Sequence, residues 1–252
     1  MIEIVESERF KPDPAKPLRM LQECPAYQAS PVIDLSSPAI SKGHVILKDE
    51  TNRMGLGAFK AVGGVYAIAQ LISAAWENEH NVALEPDELL QDHVRDFAQT
   101  LRFVCASAGN HGIAVAAGAR LFGAKARIHL ASTVPNAFAE RLRGLGAAVE
   151  RSGGVYEESL IGAIKDAETT GAVLLTDTSW PGNTKTASLV MEGYSVIAEE
   201  LRVSFQQSGE WPTHVFLQGG VGGLAAGIAY MIRHNWAEQP RIIVVEPDCA
   251  PC

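Results

Sequence analysis

The chain lacks any apolar run of the roughly 18 residues that a membrane-crossing helix needs, so no membrane partner is expected. It also lacks basic excess. Its 21 Lys and Arg stand against 29 Asp and Glu, a formal net charge of -8, which is the opposite of the basic face of a general nucleic-acid binder. Cysteine is scarce: Cys24, Cys105, Cys249 and Cys252 fit no secreted disulfide framework. Cys249 and Cys252 have C-x-x-C spacing, but no second pair completes a zinc site, so no metal is expected. Met1 to Lys16 is charged and punctuated by proline, without the apolar core of a signal peptide, and a cytoplasmic protein is expected. Low-complexity tracts and fixed-period repeats are absent too.

What is present suffices for a sizeable packed core: 252 residues, 47% hydrophobic and 20% charged, in one large domain or two modest ones. Residues 1–42, rich in proline and polar side chains, read as a wrapping segment with little regular structure. Residues 44–48 read as a short strand. Residues 60–76 read as a helix, with Val62, Val65, Tyr66, Ala69, Leu71 and Ile72 at helical spacing. Gly63 and Gly64 cost helix propensity there, which points to close packing or approach of a cofactor. Residues 85–99 read as a polar amphipathic helix.

From residue 102 the pattern alternates. Strands are predicted over 102–106, 126–130, 148–151, 173–176, 214–217 and 241–245. Helices are predicted over 113–122, 136–145, 156–169, 184–203 and 224–234. Repeated strand–helix units imply an α/β fold with mostly parallel sheet and flanking helices. Ligands of such folds gather at the carboxyl ends of the strands.

Three segments carry the chemistry, each after a strand-like run and opening a helix-like one. In Gly219-Gly220-Val221-Gly222-Gly223, glycines let the backbone approach an anion, and the free N–H groups of a helix start donate to it. The alternative is a turn that only packs tightly. The pattern is neither a nucleotide P-loop nor a dinucleotide fingerprint. Lys60 follows Phe59 at the head of an apolar helix; partly apolar surroundings disfavour its ammonium and suit it to imine formation, whereas an ordinary first-turn lysine is solvated. In Ser107-Ala108-Gly109-Asn110-His111-Gly112, backbone N–H groups can collect a carboxylate and the Asn110 amide can donate to an aromatic oxygen. His111 reads as a hydrogen-bonded structural residue or a catalyst, and Asp177 as a helix cap, a structural acid or a base.

Together these residues resemble the fold-type II family of pyridoxal phosphate enzymes, and within it most closely the diaminopropionate ammonia-lyases. That similarity extends to Gly55-Leu56-Gly57-Ala58-Phe59-Lys60-Ala61-Val62-Gly63-Gly64-Val65-Tyr66-Ala67, to Thr176-Asp177-Thr178-Ser179-Trp180 and to Val245-Glu246-Pro247. The resemblance implies that Lys60 bonds pyridoxal 5'-phosphate, Phe59 packs beside it, Asn110 meets its ring hydroxyl, and Gly219, Gly220, Val221, Gly222 and Gly223 hold its phosphate. It implies that Ser107, Gly109, Asn110 and His111 line the site of the substrate carboxylate and that Asp177 is an acid–base group.

The implied reaction is α,β-elimination on 2,3-diaminopropionate to pyruvate and ammonia, a step in amino-acid catabolism, by a homodimer. A serine, threonine or hydroxyaspartate dehydratase is the nearest rival. A non-catalytic phosphate-binding α/β module, or an inactive fragment, is the rival from another class. Residues 1–78 with 177–252 are expected to form a large cofactor-binding domain, and residues 79–176 a smaller one.

Two departures matter. The family's second acid falls at Ala108, which cannot take a proton. Family members also continue past a final strand of this kind, so a C-terminal part is expected to be missing; such a chain should expose an apolar sheet edge and bind cofactor weakly.

Overall fold

The computed structural model describes residues 10–35 and 43–249. The chain opens with helix α1 (Ala15–Gln22), followed by strands β1 (Val32–Asp34) and β2 (Ile46–Lys48), which pair antiparallel. This corrects the expectation of little regular structure before residue 42. Pro14 and Pro17 sit at and just inside the start of α1, where an N–H has no intrahelical acceptor to lose, and Met20 and Leu21 bury the helix against the body. The parts of that expectation over residues 1–9 and 36–42 lie outside the described residues.

Next come α2 (Lys60–His80) and α3 (Asp92–Ala98). The single helix expected over 85–99 is instead a 3₁₀ turn, Pro86–Leu90, followed by α3. Gln91, with φ -73° and ψ 149°, is extended and breaks the run. Then follow β3 (Arg102–Ala106), α4 (Asn110–Phe122), β4 (Lys125–Leu130), α5 (Asn136–Gly144), β5 (Ala148–Arg151), α6 (Tyr156–Thr170) and β6 (Val173–Leu174). These strands form one parallel sheet in the order β5-β4-β3-β6. Helix α7 (Lys185–Ser208) leads to β7 (His214–Gln218), α8 (Gly223–Asn235) and β8 (Arg241–Val245), with β7 and β8 paired parallel in a second sheet.

The alternation along β3 explains the layering. Phe103 and Cys105 face the main core, while Val104 and Ala106 face Ala163 of α6. The sheet is therefore covered on both sides. On β7 and β8, Phe216, Val244 and Val245 are more than half exposed.

Glycines set how closely the helices approach. A methyl group on Gly63 would overlap the Tyr194 ring and lie 2.7 Å from the Val190 carbonyl oxygen of α7. One on Gly64 would lie 2.6 Å from Ala114 Cβ of α4. Close packing therefore accounts for both glycines, of the two roles their cost to the helix suggested. Because Gly64 meets Ala114, and Gly118 meets Val65 and Ile68, α2 and α4 run alongside with their N-termini together.

The loop that delivers α2 is anchored by buried charge. Arg53, whose side chain is 0% exposed, binds Glu200 of α7 through both terminal nitrogens at 2.8 Å and Glu50 at 2.6 Å. Lys48 reaches Glu200 at 2.6 Å, and the Tyr27 hydroxyl donates to it at 2.7 Å. Burial alone would raise the Glu200 carboxyl, but Arg53 and then Lys48 outweigh it and hold it below its ordinary value. With the cluster fixed, the backbone can turn through left-handed Met54 (φ 52°) and Gly55 (φ 70°) towards Lys60. Removing one partner of a buried ion cluster strands the others, so Glu200→Ala is expected to cost about 3–5 kcal/mol in urea unfolding; a loss below about 1 kcal/mol would contradict that role.

Candidate active site

Three strand ends and one helix start converge on one spot. β3 ends at Ala106, and Ser107 turns the chain into α4. The Ser107 hydroxyl accepts the Gly109 N–H at 3.3 Å, and a methyl on Gly112 would overlap the Ser107 carbonyl oxygen, so the turn is closed tightly. Gly109 and Asn110 are exposed at the head of α4, which no side chain caps.

Just past β6, the Leu175 N–H still donates to the Val104 carbonyl at 2.8 Å, so Asp177 leaves the sheet beside the Ser107 turn. Thr176 donates to the Thr178 carbonyl at 2.8 Å and accepts from Asn183 at 3.0 Å, fixing the backbone on both sides of Asp177.

Lys60 Nζ forms a hydrogen-bonded ion pair with Asp177 Oδ2. The two side chains are 23% and 16% exposed, so the pair is shielded but not sealed. Burial by itself would raise the Asp177 carboxyl. The field of His111 when that ring is protonated, then the charge and hydrogen bond of Lys60, outweigh it and hold the carboxyl below its ordinary value.

His111 is 2% exposed, and its Nε2 lies 3.1 Å from the Leu175 carbonyl oxygen. A carbonyl only accepts, so Nε2 carries the hydrogen and Nδ1 keeps a lone pair, which is buried without a partner among the described residues. Burial pushes the imidazole below its ordinary value, and Lys60 adds to that push against the opposing pull of Asp177 and the Leu175 carbonyl. The ring is therefore neutral near pH 7.

Beyond β7, the Gly219 N–H donates to the Val245 carbonyl at 2.7 Å and continues the sheet for one residue. Gly222 then takes φ 80°, a left-handed value that glycine adopts without strain, and α8 starts with no side-chain cap. Its first-turn N–H groups have no acceptor within the helix. Among the described residues, methyl groups on Gly220 or Gly222 would meet nothing within 4 Å, so these two positions of the turn are uncrowded. A methyl on Gly223 would lie 3.9 Å from the Asp177 carbonyl oxygen and 3.8 Å from Tyr194 Cε2. The amine of Lys60 and the glycine turn thus share one site, joined through Asp177.

Tyr194 and Tyr156 also reach this neighbourhood. Tyr194 stands edge-on to Phe59, ring centres 5.3 Å apart, and Tyr156 heads α6 within the field of Asp177. Sequence reasoning missed both. A tyrosine within an amphipathic helix carries the same signal as a core residue; the small neighbour Gly193 was the one available hint.

A site with a shielded amine, an open glycine turn at an uncapped helix start, and unpartnered buried acceptor and donor atoms suits an aldehyde with an anionic tail. The match to the family of pyridoxal-phosphate dependent enzymes covers residues 24–252. The chain belongs to that family. It is 32% identical over 251 residues to the diaminopropionate ammonia-lyase of Escherichia coli K12, covering 98% of this chain and 62% of that protein. The crystal structure of an E. coli diaminopropionate ammonia lyase in apo form superposes with a TM-score of 0.84 at 31% identity, over 96% of this chain and 66% of the other. A Vibrio cholerae protein named "Probable D-serine dehydratase" is 26% identical over 239 residues, which is 90% of this chain and 52% of that protein. The chain thus spans about 62% of the length of the ammonia-lyase relative it matches.

The residues present fit pyridoxal phosphate: an amine for the aldehyde, open backbone N–H groups for the phosphate, and orphaned buried atoms on His111 and Tyr194 beside them. Among the described residues no group of three or more His, Cys, Asp or Glu is placed to hold a metal. Cys249 is exposed, and Cys252 lies outside the described residues. No described helix is long and apolar enough to cross a membrane.

The depressed Asp177 value carries a stability consequence. A carboxyl whose folded pKa lies below its unfolded value of about 4 stabilises the fold above that pH, and the stabilisation is lost as pH falls through the folded value. The stability gap between wild type and Asp177→Asn in urea unfolding should therefore narrow steadily below about pH 4. A gap constant from neutral pH to pH 2 would show that the Lys60–Asp177 pair does not act this way.

Proposed function

We propose that the protein eliminates ammonia across the α and β carbons of 2,3-diaminopropionate, yielding pyruvate and two molecules of ammonia with the uptake of one water. The observation that supports this most is the Lys60–Asp177 pair placed beside the glycine turn. Pyridoxal phosphate, when bound, supplies an aldehyde for amines and a conjugated ring that accepts the electron pair left by the departing α-proton.

This chain's residues do the rest. Lys60 supplies the amine. The N–H groups at Gly219–Gly223 and the field of α8 hold the anionic tail, and Phe59 limits the ring's freedom from one side. Asn110, exposed at the head of α4, offers its amide to the ring hydroxyl. The Ser107–His111 turn offers N–H groups to the substrate carboxylate.

Asp177 exchanges the proton. While Lys60 is charged, its field keeps Asp177 a weak base. When the amine loses its charge, that field disappears and the carboxylate becomes a better proton acceptor at the same location. Deep burial and a lone-pair Nδ1 suit His111 to holding Leu175 and polarising the site rather than to carrying charge. The same reading assigns residues 1–78 and 177–252 to a large cofactor-binding lobe and 79–176 to a smaller one, in a homodimer within the cytoplasm.

Ala108 favours a second reading, a dehydratase acting on serine. Where the ammonia-lyases that this chain resembles carry a second acid, Ala108 has no proton to exchange. A substrate panel separates the two. Diaminopropionate should release two ammonia per pyruvate at a higher kcat/KM than D- or L-serine, whose dehydration releases one; preference for serine would favour the dehydratase.

With one acid instead of two, only one enantiomer of diaminopropionate should turn over well, and equal rates on D and L would contradict the assignment of Asp177. Asp177→Asn should lower kcat about 10²–10⁴-fold, the usual range for a lost acid–base group.

A further inference from the structure

Tyr194 occupies the junction between the helix that begins with Lys60 and the helix that follows the glycine turn. One edge of its ring rests on α2: a methyl on Gly63 would overlap Cε1 and lie 3.0 Å from Cδ1. The opposite edge faces α8, where a methyl on Gly223 would lie 3.8 Å from Cε2 and 3.9 Å from the Asp177 carbonyl oxygen. Phe59 holds the ring edge-on at 5.3 Å. The hydroxyl oxygen, attached between the two Cε atoms, therefore projects where α2, Asp177 and the start of α8 meet.

That hydroxyl is anomalous. Tyr194 is 2% exposed, yet among the described residues Tyr194 Oη has no hydrogen-bond partner. A buried, unpaired hydroxyl carries a desolvation penalty that phenylalanine in the same place would avoid. Burial and the charge of Asp177 push the hydroxyl far above its ordinary value, so it remains protonated and available as a donor. The Asp177 carboxylate is already engaged by Lys60. The neighbouring first-turn N–H groups of α8 have no acceptor within the helix, and among the described residues no N-cap side chain supplies one. One ligand that satisfies a hydroxyl and several backbone N–H groups at once, at the positive end of a helix, is a phosphate monoester.

We propose that Tyr194 is a cofactor-binding residue that donates its hydroxyl hydrogen to the phosphate of pyridoxal phosphate. This rests on the reading that Lys60 and the glycine turn hold that cofactor. The ring spans both elements, so the contact would tie the anchored tail to the helix that carries the reactive amine.

Tyr194→Phe removes the hydroxyl alone and keeps the packing. The cofactor-free protein should be titrated by absorbance with pyridoxal phosphate and, separately, with pyridoxal, which has the aldehyde but no phosphate. The expected result is a Kd for pyridoxal phosphate raised about ten- to a hundredfold, as for a lost hydrogen bond to a charged group. The Kd for pyridoxal should be unchanged, and the cofactor-free melting temperature equal to or above that of wild type.

An unchanged Kd for pyridoxal phosphate would overturn the inference while leaving the cofactor reading intact. So would an equal loss for both aldehydes, or a lowered cofactor-free melting temperature, either of which marks the hydroxyl as structural. A wild type that takes up neither aldehyde would overturn the cofactor reading, and this inference with it.

Discussion

The ion pair between Lys60 and Asp177 connects parts of the chain 117 positions apart, and the rest of the architecture sets it in place. Lys60 heads a helix whose entry loop is pinned by the buried Arg53–Glu200 cluster. Asp177 leaves a sheet whose last hydrogen bond comes from Leu175. Neither side chain would be held in partial shelter from water without the other to balance its charge.

Small residues make the convergence possible. Gly63 and Gly193 bring α2 and α7 into contact, with a methyl on Gly193 falling 2.8 Å from Gly63 Cα. Gly64 and Ala114 bring α2 against α4, and Gly227 brings α8 against Met191 of α7. Helix starts with unpaired N–H groups are thereby gathered around one volume, and their fields sum in favour of an anion. The same close packing brings Phe59 and Tyr194 edge to face, leaving a rigid aromatic wall beside the amine.

Much of this was legible from sequence, and the exceptions have physical causes. Arg102–Ala106 and Arg241–Val245 are short apolar runs with clear boundaries, and the structure has strands with those limits. The glycine-bearing turns after residues 106 and 218 announce themselves because few other local needs require such sequences. Helix α1 was hidden by prolines that are harmless in a first turn, and the break at Gln91 leaves no mark in the periodicity. The Lys60–Asp177 contact and the orphaned Tyr194 hydroxyl are tertiary facts, invisible to any local pattern. Ala108, by contrast, was visible only because an acid was expected there.

The central claim is that the Lys60 amine is the group presented to the cofactor aldehyde. It is tested most directly by reducing the protein with borohydride in the presence of pyridoxal phosphate and mapping the labelled peptide by mass spectrometry. The account predicts a single stable label on Lys60. A label on Lys48, on Lys185 or on no lysine would contradict it.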